Sequence, residues 1–370
     1  MVAAGGAGMV DFYAGSASRT GSLPLTPLEL AEAYREETTW LEVLLMTNAI
    51  DRRRFLTTTA AGAAALATRR LAADEPAEGP FETTLYKALI GAPTEETLRS
   101  WKEAGFEGIE ANTWDVTPEE AARAREVAEN LDMKIHAVLR GWTDFNSPNP
   151  AQVADDIESV ETALRAAQAY GADALLLVPC RIGGMTIPDP WAFDVEFDEA
   201  TGHLTRVVEG DNAPYAEYIA AHNHATDTSV AAVKKLIPVA EETGVIIALE
   251  NVWNNLWVTP QLFAHFVASF DHPMVQAYFD IGNHVRYAPP QDYLRALGDL
   301  TVRCHVKDFQ LNPDGRGGQF VDIREGSVDW PLVRRVLEEI GYSGWMTIEG
   351  SEGLSLEERN RRLDLIIAGE

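Results

Sequence analysis

The stretch VQAYFDIG, residues 275–282, is a short and mostly apolar run that ends on an acid and a glycine. Near-continuous apolar runs of this length are typical of strands buried on both faces, as in a parallel sheet covered by helices. Seven similar runs lie before and after it, separated by amphipathic segments with helical periodicity. They are LYKALI (85–90), GIEANTW (108–114), KIHAVL (134–139), ALLLVPC (174–180), VIIALEN (245–251), VRCHVKD (302–308) and GWMTIEG (344–350).

The segments between these runs carry the signals with which helices begin and end. TPEEAARAREVAENLD (117–132) and SVDWPLVRRVLEEIG (327–341) open on Thr or Ser with an acid soon after, which is capping chemistry. Eight strand–helix units in succession predict a single (β/α)8 TIM barrel. A doubly wound open sheet is the alternative, but no GxGxxG turn follows the first strand. Glycines that can end the preceding helix stand before four of the strands, at Gly105, Gly171, Gly244 and Gly341.

Composition limits the partners that the chain can have. It has 370 residues, 46% of them hydrophobic, which is enough for one large core, and its 57 acidic and 30 basic residues give a net charge of −27. Such a surface repels phosphate backbones and anionic lipids, so neither nucleic acid nor a membrane surface is an expected partner. Cys180 and Cys304 are far apart and form no CxxC motif, so we expect two buried thiols and no disulfide framework.

Residues 46–73 have the composition of an export signal. DRRRFLTTTAAGAAALA (51–67) places arginines before Phe-Leu and a run of small and apolar residues, as twin-arginine signals do, and the run is too short to cross a bilayer. We interpret 46–73 as a twin-arginine signal peptide, 1–45 as a non-native or disordered extension, and 82–370 as the barrel. A basic helix of the folded domain is the alternative. The protein is then expected to be periplasmic, or cytoplasmic if the signal is not used, without stable membrane association.

One segment interrupts the regular alternation of strands and helices. Residues 181–224, after the fourth strand, are much longer than a usual connection, and loops longer than about 15 residues are usually functional or disordered. Five aromatic residues argue against disorder, so we expect a lid over the barrel mouth or an oligomer contact. Together with the acidic surface, this insert favours a homo-oligomer. The aromatic residues are Trp191, Phe193, Phe197, Tyr215 and Tyr218.

Four strands end on residue types that bind divalent metal ions. Glu250, Asp280, His305 and Glu349 lie at the ends of the fifth to eighth predicted strands, and the active sites of such barrels lie at these C-terminal ends. Each residue alone would more often be a strand cap, but three carboxylates packed together without compensation are unfavourable. A divalent cation removes the repulsion. Three carboxylates with one imidazole suit Mn2+, Mg2+ or Co2+ and do not exclude Zn2+.

The motifs ALEN (248–251), FDIGN (279–283), HVKD (305–308) and TIEG (347–350) resemble those of a known superfamily. It is the xylose-isomerase-like superfamily of sugar isomerases and epimerases, which includes ketose 3-epimerases, hydroxypyruvate isomerases and inosose isomerases or dehydratases. The resemblance covers about residues 82–365. It implies that Glu250, Asp280, His305 and Glu349 bind one divalent metal ion. It also implies that Glu250 and Glu349 exchange protons with the substrate.

The activity implied is isomerisation or epimerisation of a free sugar by removal of a proton next to a carbonyl. The metal ion would act as a Lewis acid on the enediolate, with the two glutamates on opposite faces of the substrate carbon. Mn2+ is the expected ion, and no nucleotide cofactor is expected because no motif for one is present. A lyase that dehydrates an inosose or cleaves a 3-keto-glycoside with the same site is the alternative. A phosphodiesterase would need more histidine ligands, and a non-catalytic barrel would be expected to lack one of the four ligands.

Further residues near the strand ends are candidates for contacts with the sugar. Glu110 and His136 are expected at the same rim, and Lys307 is expected either to face the substrate or to pair with Asp308. Asn283 could hold a hydroxyl, and His284 could rotate in from its loop. Tryptophans in the mouth loops could stack on sugar C–H surfaces. These are Trp114, Trp142, Trp253 and Trp257.

Three positions depart from the ketose 3-epimerase pattern. Leu256 stands where those enzymes have a second Glu, Asn283 where they have a His, and Leu311 where they have an Arg. These are substrate-binding positions, and the metal set is unaffected. The sequence therefore supports the metal and proton-transfer core and leaves the particular sugar open. His222 and His224 have a spacing that can bind a metal ion, but a solvated helix entry is favoured.

Overall fold

The computed structural model describes residues 80–370, in which eight parallel strands alternate with eight α-helices. The strands are β1 (Leu85–Gly91), β2 (Gly108–Ala111), β3 (Lys134–Trp142), β4 (Ala174–Val178), β5 (Ile246–Glu250), β6 (Val275–Asp280), β7 (Thr301–Val306) and β8 (Gly344–Ile348). The helices are α1 (Glu95–Glu103), α2 (Pro118–Asn130), α3 (Pro150–Tyr170), α4 (Ala216–Thr243), α5 (Pro260–Ala268), α6 (Pro290–Leu297), α7 (Trp330–Glu339) and α8 (Leu356–Ala368).

The strands close into a parallel barrel in which each strand pairs with its neighbours in the chain and β1 pairs with β8. The predicted (β/α)8 barrel is therefore confirmed, and a doubly wound sheet, which would leave two open edges, is excluded. Because all strands run in one direction, their C-terminal ends lie at one mouth. The register places Asp280 of β6 beside His305 of β7, so these two side chains lie at the same depth.

Local signals explain where the helices begin and end. Thr117 and Glu120 form a capping box at the start of α2, in which each side chain binds the other residue's backbone N–H. Helices α3 and α4 end at Gly171 and Gly244, whose φ angles of 74° and 69° lie in the left-handed region that a glycine adopts without strain. These are two of the glycines that the sequence marks as helix ends.

Alternation along the strands separates the inside of the barrel from the layer under the helices. In β4, Ala174, Leu176 and Val178 pack inside the barrel with residues of β3 and β5. Leu175 and Leu177 point outward into the larger core between strands and helices. This period of two follows from the pleat of a strand, and burial on both faces explains why the strands are almost continuously apolar. Cys180 and Cys304 are buried free thiols, as predicted.

The insert after β4 forms short regular elements. Glu196–Phe197 pairs with Leu204–Arg206 in a small antiparallel ribbon, and the last residues of the insert already belong to α4. Its Phe193 contacts Tyr218 and Tyr287, with ring centroids 5.9 and 5.7 Å apart. The insert thus touches the loop after β6, and its role as a lid or oligomer contact stays a prediction.

A second ribbon follows β7, where Asp308–Leu311 pairs with Gly318–Val321. Within residues 80–370, no helix combines the length and apolar character that crossing a bilayer requires. The extension and the twin-arginine signal fall outside the described residues, so the expected export and location stay predictions.

Candidate metal centre

The four predicted ligand residues converge at the mouth of the barrel. One ligand atom from each of Glu250, Asp280, His305 and Glu349 lies within 4.8 Å of all the others. His305 Nδ1 is at the centre, 3.0 Å from Glu250 Oε1, 3.1 Å from Glu349 Oε2 and 3.9 Å from Asp280 Oδ2. The arrangement is a possible metal-binding site, and the role of each residue as a ligand stays a prediction.

One carboxylate oxygen of Asp280 accepts hydrogen bonds, and the other is available to a metal ion. Its Oδ1 accepts hydrogen bonds from the backbone N–H groups of Gly282 (2.8 Å) and Asn283 (2.6 Å). Its Oδ2 is buried and has no hydrogen-bond partner among residues 80–370. A buried carboxylate oxygen without a hydrogen bond is costly unless a cation balances it. The donor set therefore fits a divalent ion.

Gly282 is required by the close approach of two strand ends. A Cβ atom at this position would lie 2.6 Å from the carbonyl oxygen of Lys307, which is backbone and cannot move aside easily. The glycine lets the loop after β6 pass directly under the end of β7. The FDIGN motif thus combines an acid that is available to a metal ion with the residue that allows the loop to turn there.

Burial and mutual repulsion make the carboxylates unequal. Burial raises the pKa of Glu250 and raises that of Asp280 well above its usual range. Burial also opposes ionisation of Glu349, but the charges of Lys307 and His305 outweigh it and hold the pKa of Glu349 well below normal. For His305, burial favours the neutral ring, yet Glu110 and the site carboxylates raise its pKa well above normal. The raised pKa favours a positively charged His305 ring when no metal ion is bound.

Lys307 lies among the carboxylates and does not pair with Asp308. Its Nζ is 2.8 Å from Glu349 Oε1 and 3.8 Å from Asp280 Oδ2, and it donates a hydrogen bond to Asn283 Oδ1 at 3.3 Å. One divalent cation and this ammonium would together balance the three carboxylate charges. The alternative pairing with Asp308 is therefore not formed, and the contact of Lys307 with a substrate stays a prediction.

Glu110 contacts the opposite nitrogen of His305. Its Oε2 accepts hydrogen bonds from His305 Nε2 at 2.8 Å and from the hydroxyl of Tyr278 at 2.6 Å, and all three side chains are buried. Metal-binding histidines commonly donate their second N–H to a carboxylate, which fixes the ring and its tautomer. Glu110 was expected to touch the sugar, but its contacts make it the partner of His305. Tyr278 was missed, although its place two residues before Asp280 on β6 puts both side chains inside the barrel.

The prediction that His136 lies at the rim is wrong. Strand β3 continues to Trp142, so His136 stands six residues before its end. The ring stacks on Trp345 at 4.5 Å, and its Nε2 lies 3.0 Å from Thr347 Oγ1. Both partners precede Glu349 on β8 by two or four residues, so His136 lies below the candidate metal centre. Burial lowers the pKa of His136 well below normal.

Asn283 and His284 hold the loops together. The side-chain amide of Asn283 donates to the carbonyl of Asn251 at 3.0 Å and accepts from Lys307, so it positions the ammonium. His284 donates from Nε2 to the carbonyl of Val252 at 3.0 Å and is almost fully buried, and burial lowers its pKa to about 4. It is therefore fixed away from the four ligand candidates, contrary to the expectation that it rotates in.

Asn251 is a site residue that was missed. Its side chain accepts from the backbone N–H of Asp280 at 2.7 Å and donates to the carbonyl of Asp280 at 2.9 Å. This pair of bonds aligns the end of β6 with the end of β5. The amide directly after Glu250 in the ALEN motif was the signal that could have identified it.

Three of the four predicted stacking tryptophans carry a guanidinium group over the ring. Arg140 lies 4.5 Å from the ring centroid of Trp114, Arg181 lies 4.1 Å from that of Trp142, and Arg286 lies 4.1 Å from that of Trp253. One face of each indole is thus covered by an arginine. The expected contact with a sugar stays a prediction for the other face.

Two further expectations about the mouth loops are corrected. Trp257 is buried and stacks on Phe266 at 3.6 Å, so it belongs to the core. His222 is also buried, and its Nε2 accepts the backbone N–H of Trp257 at 3.2 Å, whereas His224 is exposed. The solvated helix entry expected for this pair therefore holds for His224 alone.

Asp308, the last residue of HVKD, organises the loop after β7. Its Oδ1 accepts from the backbone N–H groups of Phe309 and Val328 at 2.9 and 3.3 Å. Its Oδ2 accepts from the N–H groups of Arg324 and Gly326 at 2.9 and 3.1 Å, and from the indole of Trp330 at 3.1 Å. Five donors on one carboxylate attach residues 309–330 to the barrel.

The chain matches the xylose isomerase-like TIM barrel family over residues 98–364, and it belongs to that family. Among curated proteins, an uncharacterised protein of Methanocaldococcus jannaschii is 28% identical over 127 residues, which are 33% of this chain. The match spans only 43% of that protein's length.

Solved structures share the fold at low sequence identity. A D-tagatose 3-epimerase-like protein superposes with a TM-score of 0.59 at 17% identity, covering 76% of this chain and 97% of its own. The IOLI protein, whose structure contains a zinc atom, superposes with a TM-score of 0.58 at 17% identity, covering 76% and 98% of the two chains. These likenesses concern the fold.

Proposed function

We propose that this protein is a divalent-metal-dependent isomerase or epimerase of a free sugar that removes a proton next to a carbonyl. The observation that carries the proposal is the convergence of Glu250, Asp280, His305 and Glu349 within 4.8 Å at the barrel mouth. Membership of the xylose isomerase-like family and the shared fold with an epimerase-like protein support a sugar as substrate. Oxygen-rich donors favour Mn2+ as the ion.

The four residues would hold the ion, which when bound stabilises negative charge on the substrate oxygens as a Lewis acid. Glu250 ends β5 and Glu349 directly follows β8, with β6 and β7 between them, so they approach a bound sugar from different sides. Each carboxylate has two oxygens, one for the ion and one for a proton. One glutamate removes the proton, and the other returns a proton to the opposite face or to the neighbouring carbon. Such acid–base groups typically contribute about 10²–10⁴-fold in rate.

Elimination on the same site is a second candidate, and Lys307 is the observation that favours it. Its ammonium lies 2.8 Å from Glu349, so it is placed to donate a hydrogen bond to an oxygen near the carbon that loses its proton. In an isomerase this oxygen belongs to the enediolate. In a lyase it would be the leaving hydroxyl or glycosidic oxygen.

The test is solvent-exchange NMR on the purified protein, stripped of metal and reloaded with Mn2+ in D2O. Free ketoses, inososes and 3-keto-glycosides are incubated with the wild type, Glu250→Gln and Glu352→Gln. Glu352 is an exposed glutamate three residues after Glu349 and serves as the matched control. Deuterium at one carbon of a recovered epimer or isomer, absent with Glu250→Gln only, supports the proposal. Release of water or an aglycone indicates a lyase, and equal behaviour of all three proteins contradicts a catalytic Glu250.

A further inference from the structure

We propose that the barrel mouth has an anion-binding subsite centred on Arg286, and that the substrate is a sugar bearing a carboxylate. This inference rests on the proposed function and specifies the substrate class of the same site. Within residues 80–370, Arg286 has no acidic partner, although the chain is strongly acidic.

The guanidinium of Arg286 lacks the partners that such a group normally has when it is half-buried. Its Nη2 donates to the hydroxyl of Tyr287 at 2.8 Å, and among residues 80–370 no carboxylate oxygen lies within ion-pair distance of it. Its Nε is buried and has no hydrogen-bond partner in the same range. Buried donors are nearly always satisfied in proteins, and an unsatisfied one indicates a missing partner. The positive charge of the guanidinium favours an anionic acceptor for the N–H groups that no described residue engages.

Fixed contacts connect Arg286 to the candidate metal centre. It lies over the ring of Trp253 at 4.1 Å, and the indole N–H of Trp253 donates to the carbonyl of Asn283. The side chain of Asn283 in turn accepts from Lys307, whose ammonium contacts Glu349. Trp253 is 37% exposed, so this chain of contacts reaches solvent at the mouth. A sugar bound at the metal ion could therefore extend along it to the guanidinium.

Two aromatic rings also contact the guanidinium. Arg286 lies over the rings of Trp253 and Tyr287, 4.1 and 4.8 Å from their centroids. An arginine stacked in this way loses little further freedom on binding, and its planar N–H groups match the two oxygens of a carboxylate. A phosphate generally requires several cations or backbone N–H groups. A single stacked arginine therefore favours a carboxylate.

The two other arginines that lie over mouth tryptophans differ from Arg286 in their contacts. Arg140 over Trp114 lies 3.5 Å from Asp156, so its charge is already balanced. Arg181 over Trp142 is exposed and makes no ion pair within the described part of the chain. Arg181 lies over a different indole from Arg286, so it is not part of the proposed subsite. Arg286 is thus a half-buried arginine of the mouth with no acid within ion-pair distance in residues 80–370, which leaves its charge to be balanced by a bound anion.

The simpler reading is that Arg286 only links Trp253 to Tyr287. A purely structural arginine would affect every substrate alike and would lower the melting temperature when removed. An anion-binding arginine would discriminate between a neutral sugar and its acid. The two readings therefore differ in a ratio of activities, which does not depend on how much the variant is destabilised.

The experiment compares D-fructose, D-fructuronate and D-fructose 6-phosphate, which differ only at the sixth carbon. The full chain loaded with Mn2+ is tested as wild type, Arg286→Gln and Arg165→Gln. Arg165 pairs with Glu242 on the outer helices, so its replacement changes the net charge away from the mouth. Deuterium exchange gives kcat/KM for each compound, and equilibrium binding of the same compounds and the melting temperature are measured in parallel.

Wild type and Arg165→Gln are expected to prefer fructuronate over fructose by about 10- to 100-fold, and Arg286→Gln to lose most of that preference. Equal use of fructose and fructuronate, or an equal loss on all three compounds with Arg286→Gln, would overturn the subsite. A preference for D-fructose 6-phosphate would refute the proposal that the subsite recognises a carboxylate. Absence of deuterium exchange on all three compounds would refute the proposed function alone. The subsite would still be tested, because the binding affinities for fructuronate and fructose can be compared without turnover.

Discussion

Replacing Glu110 by Gln should weaken metal binding without removing any of the four candidate ligands. Glu110 Oε2 accepts two short bonds, from His305 Nε2 at 2.8 Å and from the Tyr278 hydroxyl at 2.6 Å. While Nε2 donates its proton to this carboxylate, Nδ1 is the nitrogen left to bind an ion. A glutamine that turns its NH2 toward His305 would favour the tautomer with the proton on Nδ1, which cannot bind a metal ion.

The size of the effect follows from the two bonds. A neutral amide oxygen can still accept from Nε2, but the bond is no longer assisted by charge, and such assistance roughly doubles its strength. Loss of a carboxylate partner of a metal-binding histidine typically lowers metal affinity about 10- to 100-fold, or about 1.4–2.8 kcal/mol. We expect Glu110→Gln to fall in this range. Tyr278→Phe removes only the second partner of Glu110, so its effect should be less than about tenfold.

The assay is competition for Mn2+ and Zn2+ between the protein and a chelating dye at pH 7.5, with melting temperatures as a check on folding. It requires no substrate and no turnover. Exposed Glu107, three residues earlier, is the matched control as Glu107→Gln. If Glu110→Gln binds both ions within about twofold of the wild type, the carboxylate does not position His305 for metal binding.

Three further predictions concern protons and stability. Because the pKa of His305 is raised, ion binding must displace its Nδ1 proton. The affinity for Mn2+ should therefore rise by about tenfold per pH unit for each proton released, as measured by chelator competition from pH 6 to 8. Asp308→Asn turns an NH2 toward donors and should lower the free energy of unfolding in urea by about 2–5 kcal/mol; no change would contradict its anchoring role. Burial lowers the pKa of His222 to about 3, so the folded state keeps this ring neutral while the unfolded state binds a proton. Stability should therefore be lost as the pH falls below about 6.5, by about 2 kcal/mol at pH 5, and His222→Gln, unlike exposed His224→Gln, should flatten this dependence.

The sequence was sufficient for the barrel and for the convergence of the four ligand-type residues, because both depend on local patterns. Each strand is a continuous apolar run, and parallel strands bring their ends to one mouth regardless of the rest. Residues whose position depends on contacts between distant strands were not predictable in this way. Glu110 and His305 are 195 residues apart in the chain, and only barrel closure brings them together.

Other residues were predicted in the wrong place, also for physical reasons. His136 was put at the rim because β3 was expected to end at residue 139, whereas it continues to Trp142. Trp257 was assigned to the mouth because its neighbours suggest a loop. Its backbone takes a φ of 48°, in the left-handed region, and no local pattern marks that conformation. The arginines over the tryptophans come from other parts of the chain, Arg140 from β3 and the other two from loops, and they are likewise not predictable from sequence spacing.

The way in which Asp308 holds its loop has a consequence for how this barrel can change over evolution. Four of its five hydrogen-bond donors are backbone N–H groups, and only Trp330 contributes a side chain. Any residue except proline supplies a backbone N–H. Residues between Phe309 and Val328, among them Phe320 beside Trp253, can therefore be replaced while the attachment to the barrel is kept. The exceptions are Gly318 and Gly326, where an added Cβ atom would collide with the backbone of Gln310 and the carboxylate of Asp308. The wall of the mouth can diversify toward new sugars, while the residue next to Lys307 keeps it in place.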